Sequence, residues 1–238
     1  MPLEIIGNLD PVRANKPTNI YLVRHGHSSA NAKSILAGRD FKVSLSALGQ
    51  KQARSLGAQL SQIDFHAIYS SPLPRCLETL SPLLSSQNAP ELKPLDGVIE
   101  MEYGDWSGKK LSALARTKLW RNIQERPSFV RFPNGESFVE MQNRAVESVR
   151  SVVKPGENIL ICSHGDVIKA LVAAFLGLHL DGFQKIAIDP ASISVIEIAG
   201  ASTRVKQVNS TAHLAKTDLP KGSDRNLSLG GGDGAVNK

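Results

Sequence analysis

Two apolar runs in this chain stop at the same dipeptide. Asn19–Val23 leads into Arg24-His25-Gly26, and Asn158–Cys162 leads into Ser163-His164-Gly165. Short apolar runs bounded by polar breaks read as buried strands of a parallel sheet. A helical pattern follows the second run, from Val167 to Leu176, with Gly177 placed to end it. Strands alternating with helices specify an α/β chain with a doubly wound sheet. In such a sheet the carboxyl ends of the strands share one edge, and ligands bind there. The two imidazoles are therefore expected to face each other across one site. A glycine after each histidine has no Cβ, so another group can approach closely.

Other elements can be placed around this pair. Phe65–Ser70 reads as a strand ending in Ser70-Ser71-Pro72, and the helix expected after it carries Arg75 in its first turn. Pro82 is expected to limit or kink that helix. Ser46 reads as the cap of a helix that buries Gly49, Ala53, Leu56 and Leu60 and ends near Ser61. Leu95–Ile99 reads as a short strand. Leu111, Leu114, Ala115 and Leu119 form one face of a single predicted helix. Phe138, Met141, Ala145 and Val149 form the inner face of another, opened by Glu136 or Ser137. Lys185–Ile188 and Ser192–Ile198 read as a closing pair of strands, with Thr203–Val208 as an edge strand. Residues 1–17, with Pro2, Pro11 and Pro17, read as an arm, and 18–210 as one domain. Residues 211–238 are polar and glycine-rich toward Gly234, and their composition predicts a disordered tail.

Composition narrows the function. A chain of 238 residues, 41% hydrophobic, buries a core without covalent staples. Cys76 and Cys162 lie far apart and make no disulfide framework, which points to a reducing compartment. The longest apolar stretch, Ala170 to Leu178, falls short of the ~20 residues of a membrane helix. With no targeting pattern at the start, a cytoplasmic protein without a membrane partner is expected. The net charge of +6 favours an anionic partner. Aromatic residues at 5% and the lack of a dense Lys/Arg run argue against nucleic acid, so the expected ligand is an acidic small molecule.

Phosphate suits this set of residues. Guanidinium forks match its oxygens, and helix N-termini add N–H donors. His25 is then the candidate nucleophile and Arg24 the candidate anion holder. Alone, a histidine at a strand end is more often a satisfied polar residue, and Arg75 a surface ion pair. The second His-Gly pair is what outweighs those readings. Glu100, Glu102 and Asp105 share one loop, and chemistry alone does not choose the acid among them. Trp106 reads as a packing anchor for that loop, and Cys162 as a small buried hydrophobe.

Six segments carry a family resemblance, in order along the chain. They are Leu22-Val23-Arg24-His25-Gly26 with Ser28 and Asn31, Leu45 to Ala53, Ser70 to Thr79, Glu100 to Gly108, Pro133 to Ser137, and Ser163-His164-Gly165. Together they resemble the histidine phosphatase superfamily, the phosphoglycerate mutase-like proteins, from about Asn19 to Ile198. The resemblance implies a three-layer α/β/α sandwich with a mostly parallel central sheet. It implies a two-step phosphoryl transfer from a phosphorylated small molecule, without a metal or other cofactor. His25 would become phosphohistidine. Arg24, Asn31, Arg75 and His164 would hold the phosphoryl group. Glu100 would protonate the leaving oxygen and later take a proton from water. His27 and Ser107 stand where the family commonly has Glu, and both are placed to reshape the pocket. Asp166 reads as a cap for the helix after His164, ahead of a substrate contact. Gly104 to Lys109 and Ser163 to Ala170 further resemble an actinobacterial subgroup named phosphomutases. The path from the acid loop to Gly135-Glu136-Ser137 lacks the long insertion of glycolytic mutases. That favours hydrolysis over a mutase reaction or a non-catalytic phospho-ligand binder.

Overall fold

A computed structural model describes residues 16–86 and 88–219. The sheet contains β1 (Thr18–Arg24), β2 (Ala67–Ser70), β3 (Leu92–Pro94), β4 (Asn158–Ser163), β5 (Ile193–Ala199) and β6 (Ser202–Ser210). Their order is β3-β2-β4-β1-β5-β6. The first four in that order are parallel, β5 is antiparallel to β1, and β6 is antiparallel to β5. The helices are α1 (Ser29–Ala32), α2 (Ala47–Leu60), α3 (Pro74–Leu84), α4 (Leu111–Leu114), α5 (Lys118–Glu125), α6 (Phe138–Val152) and α7 (Gly165–Phe175).

Successive side chains on a strand point to opposite faces, and this alternation sorts the core into two layers. Ile20 and Leu22 of β1, with Ile159 and Ile161 of β4, meet α6 and α7 through Phe138, Met141, Val149, Val167 and Leu171. Val23, Leu160 and Cys162 turn the other way, onto Leu56 and Leu60 of α2 and Leu80 and Leu83 of α3. The result is the expected α/β/α sandwich. Ser46 and Ser137 start α2 and α6 by accepting the Gly49 and Glu140 N–H groups, each at 3.2 Å.

The topology fixes where the site lies. The chain leaving β1 crosses β4 to reach β2, whereas the chain leaving β4 crosses β1 to reach β5. The two connections diverge between β1 and β4, and a crevice opens at those carboxyl ends. The register pairs Arg24 with Ser163, and the His25 N–H donates to the Ser163 carbonyl at 3.0 Å.

Several expected elements differ. Leu95–Ile99 is not a strand: Asp96–Val98 forms a 3-10 turn, and the strand is the preceding Leu92–Pro94. A Cβ at Gly97 would collide with the Ser148 side chain of α6, so the chain turns there to let the helix in. As an edge strand, β3 tolerates Pro94, which has no N–H to donate. Lys185–Ile188 is not a strand either. β1 is already flanked by β4 and β5, and the partner of β5 is β6, which covers the expected edge strand. The helix expected through Leu119 is two helices, because Thr117 caps a new one by accepting the Trp120 N–H. Pro82 lies inside α3 without ending it. The expected disorder after Ser210 does not hold for Thr211–Leu219. Leu214 is buried there, and the Asp218 carbonyl accepts a 2.8 Å hydrogen bond from Gln52 of α2. The expected arm before Lys16 and the tail beyond Leu219 fall outside the described residues.

Candidate active site

His25 follows β1 with its Nδ1 at 2.7 Å from the Gly26 carbonyl. A carbonyl only accepts, so Nδ1 carries the hydrogen and Nε2 keeps its lone pair. Gly26 is required by close packing: its N–H donates to Thr79 at 2.9 Å, and a Cβ would meet the Gly49 carbonyl at 2.9 Å. Burial, then the charges of Arg75 and Arg24, hold the His25 imidazole well below the usual histidine range. It is a neutral, oriented base.

His164 stands opposite, with the ring centres 5.2 Å apart. Its Nε2 lies 2.7 Å from the Ser71 hydroxyl oxygen. The Ser71 hydroxyl oxygen also accepts from the Leu73 N–H at 3.4 Å. Nδ1 lies 3.7 Å from Glu100 Oε2. His164 is neutral by the same causes, burial first and Arg75 next.

The guanidiniums are buried beside these rings. Arg24 donates from Nη1 to the Ile188 carbonyl at 2.7 Å, while its Nε and Nη2 have no acceptor among the described residues. Buried donors without acceptors are costly, and an anion in the crevice is what would satisfy them. Arg75 enters from the first turn of α3 and is held by the Gly38 carbonyl at 2.8 Å. Asn31 lines the cleft from α1, and its Oδ1 is engaged by the Ser28 N–H at 2.9 Å and Ser28 hydroxyl at 2.8 Å. What it can offer a ligand is therefore its amide N–H groups. The cleft includes His25, Asn31, Arg75, Glu100 and Tyr103 among its lining.

Glu100 is buried and takes the Met101 N–H on Oε1 at 2.9 Å. Burial pushes its carboxyl up, Asp166 pushes it further, and Arg75 opposes both; the balance lies at about 7. Of the three acidic residues in this loop, Glu100 faces the cleft. Glu102 pairs with Arg39 at 3.4 Å, and Asp105 accepts from Asn134 at 3.1 Å on the surface. Trp106 is buried against Phe132, as a packing anchor should be.

Several contributors escaped the sequence reading. Arg144 donates to the carbonyls of Gly97 and Ile99 at 2.8 Å and of Glu100 at 3.1 Å, and Arg39 reaches the Glu100 carbonyl at 2.9 Å. Both arginines end on the carboxylate of Glu136, which also takes the Glu102 N–H at 2.8 Å. The His27 ring bonds Ser46, the cap of α2, at 2.8 Å, so it braces that helix. Ser107 sits beside Gly38 at the rim. Asp166 is no cap: it is buried in the first turn of α7 and accepts from Tyr103 at 2.7 Å. The signal for it was the Asp166–Lys169 pair at i,i+3 on an otherwise apolar helix.

An anion basin between two neutral imidazoles, beside a carboxylic acid that holds its proton near neutrality, describes an enzyme for phosphoryl groups. Residues 20–211 match the Histidine phosphatase superfamily (branch 1), and the chain belongs to that family. Phosphoserine phosphatase 1 of Hydrogenobacter thermophilus is 31% identical over 201 residues, covering 83% of this chain and 94% of that protein. A 2,3-bisphosphoglycerate-dependent phosphoglycerate mutase of Cytophaga hutchinsonii is 28% identical, covering 82% and 90%. The solved structure of Bacillus stearothermophilus YhfR superposes with a TM-score of 0.76 at 30% identity, covering 82% and 98%. The chain is a phosphatase of this family. Among the described residues, no helix is long and apolar enough to cross a membrane.

Proposed function

We propose that the chain hydrolyses small phosphomonoesters through a phosphohistidine on His25, without a metal. The carrying observation is the 2.7 Å bond from Nδ1 to the Gly26 carbonyl, which leaves Nε2 bare beside two buried guanidiniums. The Nε2 lone pair attacks phosphorus, and the bond to the leaving oxygen breaks. That oxygen takes the departing electron pair together with the Glu100 proton. Arg24, Arg75, His164 and Asn31 hold the three remaining oxygens and spread their charge. In the second step the Glu100 carboxylate removes a proton from water, and the water oxygen attacks phosphorus. The P–N bond returns its electrons to His25, and inorganic phosphate leaves. Two moderate barriers replace one high one.

The substrate is a phosphorylated small molecule, and the phosphoserine phosphatase relative makes phosphoserine the first compound to try. Mutase relatives support a competing reading. It predicts a need for a bisphosphate primer and isomerisation faster than phosphate release. A reducing, cytoplasmic setting suits Cys76 and Cys162, both buried and unpaired.

The test is turnover of p-nitrophenyl phosphate in excess chelator. Wild type should release nitrophenol and, with radiolabelled substrate and an alkaline quench, retain label on the protein. His25→Ala should do neither. Equal inertness of both proteins across a broad panel of phosphoesters would end the reading.

A further inference from the structure

Behind the cleft lies a buried polar group that the reaction above does not use. Tyr103 is part of the cleft wall, and its hydroxyl donates to Asp166 Oδ2 at 2.7 Å. Asp166 Oδ1 faces Lys169 Nζ at 3.7 Å. Lys169 in turn donates to Gln184 at 3.1 Å and lies 5.6 Å from the centre of the Phe183 ring. All of these side chains are buried. An ion pair taken out of water is commonly no better than apolar residues of the same volume. The neighbours on α7, Val167, Ile168, Ala170 and Leu171, are such residues. Packing alone gives no reason for Asp166 and Lys169 to be there.

We propose that Asp166 is a positioning residue for the general acid: it anchors Tyr103, from the loop that carries Glu100, in the cleft wall the two share, and places a buried carboxylate behind that wall. The proposal rests on Glu100 being that acid. The groups facing Glu100 are Arg24 and His25 from the end of β1, Arg75 from α3, His164 from the β4–α7 junction, Tyr103 from its own loop, and Asp166 and Lys169 from α7. Arg39 and Arg144 touch only its main-chain carbonyl. Arg24 and Arg75 favour the ionised carboxylate. Asp166 is the anion that opposes them, so the proton stays on Glu100 until a leaving group needs it. Lys169 offsets part of that anion, which gives its removal the opposite sign.

The measurement is the pH dependence of kcat/KM for phenyl phosphate, a substrate whose leaving group needs a proton. Asp166→Asn should move the basic limb to lower pH by about one unit, and Lys169→Met should move it to higher pH. Glu100→Gln should lose that limb. A limb absent from Glu100→Gln but unmoved in the folded Asp166 and Lys169 variants overturns this proposal alone. Shifts of the same sign in both variants overturn it as well. A limb that persists in Glu100→Gln overturns the acid assignment and this proposal with it. If Asp166→Asn does not fold, the direction of the Lys169→Met shift decides.

Discussion

The position of one hydrogen sets what the His25 ring can do. His25 has Nδ1–H tied to a carbonyl and presents a lone pair. His164 is held by Ser71 at Nε2, with Nδ1 toward Glu100. The nucleophile must be neutral, a condition met above its lowered pKa. The acid must be protonated, a condition met below about 7. We therefore expect kcat/KM for phenyl phosphate to hold from mildly acidic pH to about 7 and to fall above it. A profile still rising above neutrality would contradict this. Arg75→Lys keeps the charge but loses the planar fork, and should lower kcat by about 10²–10³-fold in steady-state assays. The charged residues at strand ends were legible because the strand break and the residue that uses it are adjacent in sequence. Asp166 was misread because capping is a local rule, whereas its partner Tyr103 arrives from a distant loop through tertiary closure.

At the scale of elements, amphipathic periodicity located α2, α6 and α7 well, since one buried stripe per helix suffices for that. It failed at Lys185–Ile188, where an apolar stretch had no open strand edge left to join. It also missed that Gly97 yields to Ser148 of α6, a collision between segments far apart in sequence. The inner face of α6 meets the sheet through Phe138, which packs against Phe132 and Phe183 with ring centres 5.5 and 5.0 Å away. Phe138→Ala should cost about 3–5 kcal/mol, measured by urea unfolding. Arg144→Met cuts the struts to Gly97, Ile99 and Glu100. Its kcat for phenyl phosphate should drop, while the loss for p-nitrophenyl phosphate, whose leaving group needs little protonation, should be smaller.

Across the whole molecule, strand order does the positioning. Six segments separated in sequence converge because β1 and β4 are neighbours whose connections part in opposite directions. That neighbourhood was inferable from two matching strand ends. The closing segment was not, since Thr211–Leu219 is polar and shows no period. It is held by Leu214 in the α2–α3 layer and by Gln52 on the Asp218 carbonyl. A chain ended at Ser210 should melt several degrees below one ended at Leu219, an effect visible by thermal denaturation.

The carboxylate of Glu136 gathers Arg39, Arg144 and the Glu102 N–H at a single point. The reactive acid is thereby secured through its own main chain from outside the loop, independently of the side chains of Ile35, Leu36 and Leu111 that line the cleft. Proton delivery and choice of guest are mechanically uncoupled. A lineage, or an engineer, can exchange that lining to admit a different alcohol and inherit the phosphorus chemistry intact.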